Sequence, residues 1–328
     1  MKITILGAGA WGTALAIHLS RQHEVSIWSR NSQEIAAMAA DGENTRFLPG
    51  FKLSSSISFK SDISTSLSGA ELVIVAVPTA GFRNTLQLCS NLDTPVIWVS
   101  KGFEAGTAKL LHQVADEVLP KAHLRGVLSG PSFAQEVAKG LPCALTLAST
   151  DEVFSRRIAA ELHGGSMRVY SSSDVIGVEL GGAVKNVMAI AAGISDGMGF
   201  GYNARAALIT RGLAEMTRLG LALGGKLETF MGLAGVGDLI LTCTGDLSRN
   251  RTVGKLLAQG KRLDAILAEL GHAAEGVHTA REVLQLAEQV KVEMPITQEV
   301  CKVLFEGLSP KEAVEDLLNR EPRAENLQ

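Results

Sequence analysis

A run of closely spaced glycines near the amino terminus has the spacing of a diphosphate-binding loop. Gly7, Gly9 and Gly12 form a G-x-G-x-x-G sequence between a predicted first strand and a helical run from Thr13 to Ser20. In such a strand-to-helix turn the first glycine allows a tight bend, the second lets backbone approach the ligand, and the third lets the helix pack closely. A glycine-rich turn without a ligand is the alternative. Strand, spacing and helix together favour a dinucleotide site.

The residues after the predicted second strand bear on which dinucleotide is bound. An acidic residue there hydrogen-bonds the 2′-hydroxyl of the adenosine ribose, whereas an arginine accommodates a 2′-phosphate. Here the strand from Glu24 to Trp28 leads into Ser29-Arg30-Asn31, with no acid. A lone Arg30 would be interpreted as a surface residue, but its place in the fingerprint favours NADPH, with NADH also possible.

The elements that must position these residues alternate between strand and helix patterns in the first half of the chain. This alternation is typical of βαβ units and predicts an α/β, Rossmann-like domain with a mainly parallel sheet. The predicted strands are Lys2 to Leu6, Glu24 to Trp28, Leu72 to Val77, Val96 to Ser100, Gly126 to Ser129, Ala144 to Ala148 and Met167 to Tyr170.

The pattern changes after about Ser173, where Ala, Leu, Gly and Met recur at helical spacing and clear strand runs end. We therefore expect two domains. Residues 1–173 would form the dinucleotide-binding Rossmann domain, and residues 174–328 would form an all-helical C-terminal domain.

The last helix shows local signals that agree with one another. Ser309 and Glu312 can form a capping box around Pro310, which suits the first helical turn. This predicts a helix that ends near Arg320. The polar tail from Glu321 is expected to fray.

The composition excludes several classes of protein. A formal net charge of -3 gives no broad basic field for nucleic acid or anionic membrane. The 4 cysteines and 7 histidines lack ligand spacing, which predicts neither disulfides nor a metal site. The apolar stretch from Val175 to Gly201 contains Glu179, Lys185 and Asp196, which would be costly in lipid, and no export segment is visible. We expect a soluble, cytoplasmic protein.

Six motifs run through nearly the whole chain, and together they are far more specific than any one alone. They are GAGAWGTALA at Gly7, VSKGFE at Val99, SGPSFAQEVAKGLP at Ser129, LGGAVKNVMAIAAGISDGMGFG at Leu180, GLAGVGDLILTCTGDLSRNRTVG at Gly232 and AEGVHTA at Ala274. They resemble the NAD(P)-dependent glycerol-3-phosphate dehydrogenase family, bacterial type. The resemblance implies hydride transfer between NAD(P)H and dihydroxyacetone phosphate, giving sn-glycerol 3-phosphate for glycerophospholipid synthesis, by a protein that forms a homodimer.

The resemblance assigns proton transfer to Lys185. Reduction of a carbonyl leaves charge on its oxygen, so an acid must supply a proton, and the same group acts as base in the reverse reaction. Its apolar neighbours Val184 and Val187 are expected to desolvate the ammonium and lower its pKa. Gly181 and Gly182 are expected to leave room for substrate and nicotinamide. Without the resemblance, Lys185 could equally snorkel from a helix or pair with Glu179.

The resemblance also implies the other site residues. Lys101 follows a strand that ends at the carboxyl edge of the predicted sheet, where ligands bind, and its charge would favour the neutral form of Lys185. The implied substrate-binding positions are Lys101, Gly130, Ser132, Lys185, Asp238, Ser248, Arg249 and Asn250. The implied cofactor-binding positions are Gly7, Gly9, Ala10, Trp11, Gly12, Arg30, Lys101, Ala134, Arg249, Ala273 and Glu275.

The segment Ser248-Arg249-Asn250 separates this interpretation from its rivals. A hydroxyl, a guanidinium and an amide on consecutive residues suit a phosphate monoester, although an ordinary surface turn is the alternative. The nearest rivals are a two-domain hydroxy-acid dehydrogenase or a ketopantoate reductase, whose carboxylate substrates would not call for this segment. A non-catalytic NADPH sensor is more distant, since it would not need Lys101, Lys185 and Asp238 together.

Overall fold

The chain divides into two compact units, each with its own hydrophobic core. The structure, a computed structural model, describes residues 1–270 and 274–321. Unit 1 comprises Met1–Ser100 and Leu111–Val175, and unit 2 comprises Lys101–Leu110 and the chain from Ile176 onward. The predicted boundary between residues 173 and 174 stays a prediction. One short earlier segment, Lys101–Leu110, belongs to the same unit as the later part of the chain.

Unit 1 contains an eight-stranded sheet that is parallel at every described pairing except that of β10 with β11. The strands of the chain are β1 Lys2–Leu6, β2 Glu24–Trp28, β3 Glu43–Asn44, β4 Leu48–Lys52, β5 Ser58–Lys60, β6 Leu72–Val75, β7 Val96–Trp98, β8 Phe103–Glu104, β9 Lys109–Leu110, β10 Arg125–Ser129, β11 Cys143–Ala148 and β12 Met167–Ser172. Their order across the sheet is β12-β11-β10-β7-β6-β1-β2-β5. From β5 to β10 this is the 3-2-1-4-5-6 order of dinucleotide-binding sheets. The predicted Rossmann-like sheet is confirmed.

The predicted strands are all present, with small differences at their ends. The run from Val96 ends at Trp98 instead of Ser100, and β6 ends at Val75 instead of Val77. Both strands are buried along their whole length, as their aliphatic runs indicated. Five strands were not predicted. The strands β3, β5, β8 and β9 have only two or three residues and carry no periodic pattern, and β4 contains Pro49 and Gly50, which argue against a strand.

Seven helices belong to unit 1. They are α1 Ala10–Leu19, α2 Ser32–Asp41, α3 Ile63–Leu67, α4 Thr79–Gln87, α5 Leu111–Val118, α6 Ala134–Ala138 and α7 Glu152–Leu162. The first helix starts three residues before the predicted Thr13. Its N-cap is Gly9, which has an extended backbone and no side chain to cap the helix, so the first turn leaves amide groups available to a ligand.

Unit 2 is helical from Ile176 to the end of the described chain, which confirms the predicted helical C-terminal region. Its helices are α8 Val175–Gly197, α9 Gly201–Ala222, α10 Leu227–Phe230, α11 Asp238–Thr244, α12 Arg249–Ala258, α13 Leu263–Leu270, α14 Glu275–Gln289, α15 Pro295–Cys301 and α16 Pro310–Leu318. Two π-helical segments lie between them, at Leu233–Gly237 and Lys302–Glu306.

The segment Lys101–Leu110 joins unit 2 through packing. It forms the antiparallel hairpin of β8 and β9, and Phe103 and Leu110 are buried in the same cluster as the helices of unit 2. Because these two apolar side chains are buried there, the hairpin contributes to the helical core although it lies early in the chain.

The predicted capping box of the last helix is confirmed. The Ser309 hydroxyl accepts from the Glu312 amide at 3.2 Å, and the Glu312 carboxylate accepts from the Ser309 amide at 3.0 Å. The helix ends at Leu318, two residues before the predicted end. The predicted polar tail lies outside the described residues from residue 322 on.

Among the described residues, two segments are long and apolar enough to cross a membrane by length and composition, Val175–Gly197 and Leu227–Thr244. The first is α8, of which 89% of the apolar window is buried inside the protein. The second is interrupted by a π-helical segment and contains Asp238, which is fully buried and paired with lysines. The burial of the first segment is typical of a core helix, whereas 39% of the second window is buried.

Candidate active site

The glycine-rich loop of unit 1 has the backbone geometry of a diphosphate cradle. Gly7 has a φ of +126°, and a Cβ there would lie 2.5 Å from the Ala76 carbonyl oxygen. A Cβ at Gly12 would lie 2.2 Å from the Gly7 carbonyl oxygen, so neither position accepts a side chain. At Gly9, by contrast, nothing lies within 4 Å of an added Cβ. The open space above Gly9, at the uncapped start of α1, fits the phosphates of a dinucleotide.

The other predicted cofactor and substrate positions of unit 1 follow strand ends. Arg30 is exposed just after β2, and the next residue, Asn31, caps α2. Gly130 follows β10 with a φ of +136°, and its carbonyl accepts from the Ser132 hydroxyl at 3.0 Å. Ala134 is the first residue of α6. Arg30, Gly130 and Ser132 therefore lie in turns after the carboxyl ends of strands, where open α/β sheets bind ligands, and Ala134 begins the helix that follows.

Two lysines share one buried carboxylate in unit 2. Asp238 is fully buried, and its two oxygens accept from different partners. Lys101 Nζ donates to Oδ2 at 2.6 Å, and Lys185 Nζ donates to Oδ1. Lys185 Nζ also donates to Thr242 Oγ1 at 3.0 Å, and the Thr242 hydroxyl itself donates to the Asp238 carbonyl at 2.6 Å. The Lys185 ammonium is therefore held in one place by two acceptors.

Burial lowers the pKa of Lys185 to about 8, and the neighbouring Lys101 ammonium acts in the same direction. The Asp238 carboxylate opposes both effects because it stabilises the ammonium. Val184 and Val187 are completely buried on either side. The predicted direction of the shift is confirmed, and it brings the amine close to the range in which it can both give and take a proton.

The fold brings Asp238 to Lys185 through close backbone packing. The π-helical segment Leu233–Gly237 leads directly into α11, whose first residue is Asp238. A Cβ at Gly181 would lie 2.2 Å from the Ala234 carbonyl oxygen. For Gly181 the expectation of room for substrate and nicotinamide is therefore wrong, and for Gly182 it stays a prediction. The space beside Gly181 is filled by Ala234 backbone, and this contact lets α8 approach the segment that carries Asp238.

The predicted phosphate-binding residues lie at the start of α12. Ser248 is the N-cap, and its hydroxyl accepts from the Arg251 amide at 3.3 Å, so its own hydrogen stays available for donation. Arg249 is exposed, and none of the described carboxylates forms an ion pair with it. Asn250 Oδ1 accepts from the Gly276 amide at 3.1 Å, which leaves the Nδ2 hydrogens as donors. A helix N-terminus with three side-chain donors fits a phosphate group.

A second arginine in the same run has a structural role. Arg251 is buried and donates to Asp196 at 2.6 Å and to Asp246 at 2.8 Å. Asp196 also pairs with Arg205 at 2.5 Å. Because its guanidinium is occupied by two carboxylates, Arg251 is not available to an anionic ligand, whereas Arg249 is.

Of the two predicted cofactor positions near the start of α14, the structure describes Glu275 but not Ala273. Glu275 is the first residue of α14, and burial raises the pKa of its carboxyl, against the opposing charges of Arg249, Lys101 and Lys185. This places Glu275 in the same electrostatic neighbourhood as the lysines. Ala273 lies outside the described residues. Among those described, no group of three His, Cys, Asp or Glu side chains could hold a metal ion.

Comparison with known proteins identifies the family. Residues 2–155 match the family profile described as NAD-dependent glycerol-3-phosphate dehydrogenase N-terminus, and residues 174–315 match that of the corresponding C-terminus. The chain belongs to the NAD-dependent glycerol-3-phosphate dehydrogenase family. The resemblance predicted from the motifs is confirmed, and the rival reductase families are set aside.

Relatives within this dehydrogenase family match along the full length of the chain. The chain is 59% identical over 327 residues to glycerol-3-phosphate dehydrogenase [NAD(P)+] of Thiobacillus denitrificans, covering 99% of this chain and 100% of that one. It is 60% identical to the protein of the same name from Nitrosomonas eutropha, covering 99% of each chain. The crystal structure of glycerol-3-phosphate dehydrogenase from Coxiella burnetii superposes with a TM-score of 0.92 at 44% identity, covering 97% of this chain and 99% of that one.

Three residues that contact predicted site residues or the glycine-rich loop were not predicted from the sequence: Thr242, Arg251 and Asn44. Thr242 lies four residues after Asp238, and i,i+4 spacing on a predicted helix was a signal that could have found it. Arg251 could not be told from Arg249 by type alone. Asn44, which contacts the glycine-rich loop from a hairpin about thirty residues away, carried no sequence signal.

Proposed function

We propose that the protein is an NAD(P)-dependent sn-glycerol-3-phosphate dehydrogenase that reduces dihydroxyacetone phosphate to sn-glycerol 3-phosphate for glycerophospholipid synthesis in the cytoplasm. The observation that carries the proposal is the buried Lys185, which donates to Asp238 and has a pKa lowered to about 8. A proton donor tuned to this range, beside a candidate phosphate site, is what reduction of a phosphorylated ketone requires.

The protein supplies the proton of the reaction. A bound nicotinamide supplies the hydride that adds to the carbonyl carbon. As negative charge develops on the carbonyl oxygen, the Nζ of Lys185 transfers one proton to it and becomes a neutral amine, so the oxygen becomes an uncharged hydroxyl. In the reverse direction the neutral amine removes the proton from that hydroxyl.

Asp238 and Thr242 position this amine. Each accepts from Lys185 Nζ, which leaves the remaining hydrogen of the ammonium to point at the substrate oxygen. Lys101 shares the same carboxylate and keeps a positive charge nearby, which favours release of the proton from Lys185. In this assignment Lys185 is catalytic, and Lys101 and Asp238 bind substrate as well as orienting the lysine.

The start of α12 holds the substrate phosphate in this proposal. Arg249 offers the only guanidinium of the segment that is not already engaged by carboxylates in the described part of the chain. Ser248 and Asn250 add a hydroxyl and an amide donor. Gly130 and Ser132 are proposed substrate-binding positions of unit 1. Charge-assisted hydrogen bonds to phosphate are about twice as strong as neutral ones, so Arg249 should dominate.

Unit 1 binds the dinucleotide in this proposal, and unit 2 supplies proton transfer and phosphate binding. Gly7, Gly9 and Gly12 form the diphosphate loop with Ala10 and Trp11, whose amides start α1. Arg30 after β2 favours NADPH over NADH because it can bind the 2′-phosphate. Lys101, Ala134, Arg249, Ala273 and Glu275 are the remaining proposed cofactor contacts.

The proposal is tested with purified protein and NADPH. We expect oxidation of NADPH with dihydroxyacetone phosphate and none with unphosphorylated dihydroxyacetone, because the proposed substrate site includes a group of phosphate-binding side chains. Ketopantoate and small 2-oxo acids serve as further controls, and NADH is compared with NADPH through kcat/KM. Equal turnover of the phosphorylated and unphosphorylated ketones would refute the substrate assignment.

We further propose that the active form is a homodimer. Symmetric dimers are the commonest soluble oligomers, and the implied family habit agrees. The molar mass in solution, measured by light scattering during gel filtration, distinguishes a dimer from a monomer.

A further inference from the structure

A buried asparagine in the β3–β4 hairpin reaches the glycine-rich loop of the same unit. Asn44 is only 3% exposed. Its Nδ2 donates to the Ala8 carbonyl at 2.9 Å and to Thr13 Oγ1 at 2.8 Å. Its Oδ1 accepts from the Phe47 amide at 3.1 Å. One side chain therefore ties together the hairpin, the loop and the first helix.

The partners leave one orientation for the carboxamide. A carbonyl oxygen such as that of Ala8 can only accept, so the atom facing it must be the NH₂ group. The Phe47 amide can only donate, so the atom facing it must be the oxygen. The direction in which the Ala8 carbonyl points is thus set by a donor from outside the loop.

The orientation of the Ala8 carbonyl also sets the direction of the next amide. Ala8 C=O and Gly9 N–H belong to one planar trans peptide and point to opposite sides. With the carbonyl held toward Asn44, the Gly9 N–H is turned away from it. In the described chain this N–H has no hydrogen-bond acceptor. Gly9 is also the position where an added Cβ meets open space.

We propose that Asn44 is a positioning residue for cofactor binding: it holds the Ala8–Gly9 peptide so that the Gly9 amide is presented to the diphosphate of NAD(P). The inference rests on the NAD(P) dependence of the proposed function. The β3–β4 hairpin would thus contribute to the diphosphate site, a contribution that the G-x-G-x-x-G motif does not indicate.

The hairpin itself does not need the amide nitrogen of Asn44. Its turn is closed by Oδ1, an acceptor that an aspartate would also supply. A second bond in the hairpin joins Glu43 Oε1 to the Gly50 amide at 2.7 Å and is independent of the loop. The two Nδ2 bonds go only to the loop and to α1, which separates the positioning role from the hairpin's own stability.

The decisive comparison is between Asn44→Asp and Glu43→Ala. The first keeps an acceptor for Phe47 but removes the donor to Ala8, while the second loosens the same hairpin without touching the loop. We measure binding of NADPH, by fluorescence titration without substrate, and of adenosine 2′-monophosphate, which lacks the diphosphate. Asn44→Asp should weaken NADPH binding by about 10-fold or more, the loss expected for one charge-assisted hydrogen bond. Adenosine 2′-monophosphate should change by less than about 2-fold.

The kinetic constants add a second readout. For Asn44→Asp the KM for NADPH should rise, while kcat at saturating NADPH and the KM for dihydroxyacetone phosphate stay within about 2-fold of wild type. Glu43→Ala should leave both ligand affinities within about 2-fold. If the Asp variant does not fold, Asn44→Ser removes the same donor without a buried charge and takes its place.

Three results would overturn the proposal. These are unchanged NADPH affinity in the Asn44 variant, an equal loss for adenosine 2′-monophosphate, or an equal loss in Glu43→Ala. The titrations need no substrate, so an error in the substrate assignment leaves them unaffected. Failure of the wild-type protein to bind NADPH would refute the proposed function together with this inference.

Discussion

At the scale of single residues, one carboxylate organises the candidate catalytic group. Asp238 accepts from both Lys101 and Lys185, and burial then lowers the pKa of Lys185 to about 8. A buried ammonium without a partner would deprotonate, and a fully paired ammonium would not release its proton. The arrangement lies between these limits, which suits a group that must act as acid in one direction and base in the other.

Replacing Lys185 separates proton transfer from charge. Lys185→Ala should lower kcat by about 10²–10⁴-fold, since it removes the acid, while NADPH titration shows that the cofactor still binds. Lys185→Arg keeps the charge but cannot cycle a proton near neutral pH, so it should be nearly as inactive. Lys121→Ala, at an exposed lysine of unit 1, is the control. High activity of the Arg variant would mean that the lysine acts only as a charge.

The two arginines near the start of α12 should respond oppositely to replacement by alanine. Arg249→Ala should raise the KM for dihydroxyacetone phosphate by roughly 10–100-fold, the worth of a hydrogen bond to a charged group, with little change in thermal stability. Arg251→Ala leaves Asp196 with Arg205 alone and should cost about 3 kcal/mol of stability. Melting curves and initial rates on both variants check this. An unchanged KM in Arg249→Ala would place the phosphate site elsewhere.

At the scale of elements, glycines set how closely the helices of unit 2 approach. A Cβ at Gly193 would lie 2.0 Å from the Arg251 carbonyl oxygen, and one at Gly254 would lie 2.0 Å from the Ile190 carbonyl oxygen. The helices α8 and α12 therefore cross with backbone against backbone. This crossing connects the element that carries Lys185 to the element that carries Arg249.

A side chain added where α8 and α12 cross should destabilise the protein. Gly254→Ala should cost about 1–3 kcal/mol, because backbone atoms cannot move aside as a flexible side chain can. The matched control is Gly81→Ala in α4, where an added Cβ would meet Val77 at 3.9 Å, an ordinary contact. There the gain in helix propensity should stabilise by about 0.5–1 kcal/mol. Thermal melts of both variants decide, and equal effects would contradict the packing argument.

At the scale of the whole molecule, a buried acid outside the site makes stability depend on pH. Glu215 on α9 accepts from the Ile296 amide at 2.7 Å and the Thr297 amide at 3.3 Å, at the start of α15. Burial nevertheless raises its pKa to about 7, against the opposing effects of those amides and of Arg218. The folded protein therefore holds a proton that the unfolded chain has already lost.

The sign of the pH effect follows from that proton. Between the ordinary pKa of 4.5 and about 7, the folded state binds more protons than the unfolded state, so stability falls as pH rises through this range. Glu215→Gln imitates the protonated acid and should flatten this part of the curve. Melting temperatures from pH 4.5 to 8 on both proteins test the effect. An identical slope in the variant would assign the pH dependence to other groups.

Local features were predictable from sequence because their causes lie within a few residues. The G-x-G-x-x-G turn, the buried aliphatic strands and the Ser309–Glu312 capping box each depend on neighbours along the chain. Helical and extended periodicity separated the Rossmann sheet from the helical half for the same reason. The short strands β3, β5, β8 and β9 were not predicted, since whether two or three residues are extended depends on the strands with which they pair.

By itself the sequence determined the family, the dinucleotide loop and the identity of the candidate catalytic lysine. Only the tertiary structure decided that Asp238 meets a lysine 137 residues earlier in the chain, that Arg249 is available while Arg251 is occupied, and that Asn44 orients the glycine loop. The physical reason is that residue types and spacings encode local conformation directly. Which distant side chains share a hydrogen bond or an ion pair depends on how buried surfaces pack, and that packing is a property of the folded chain.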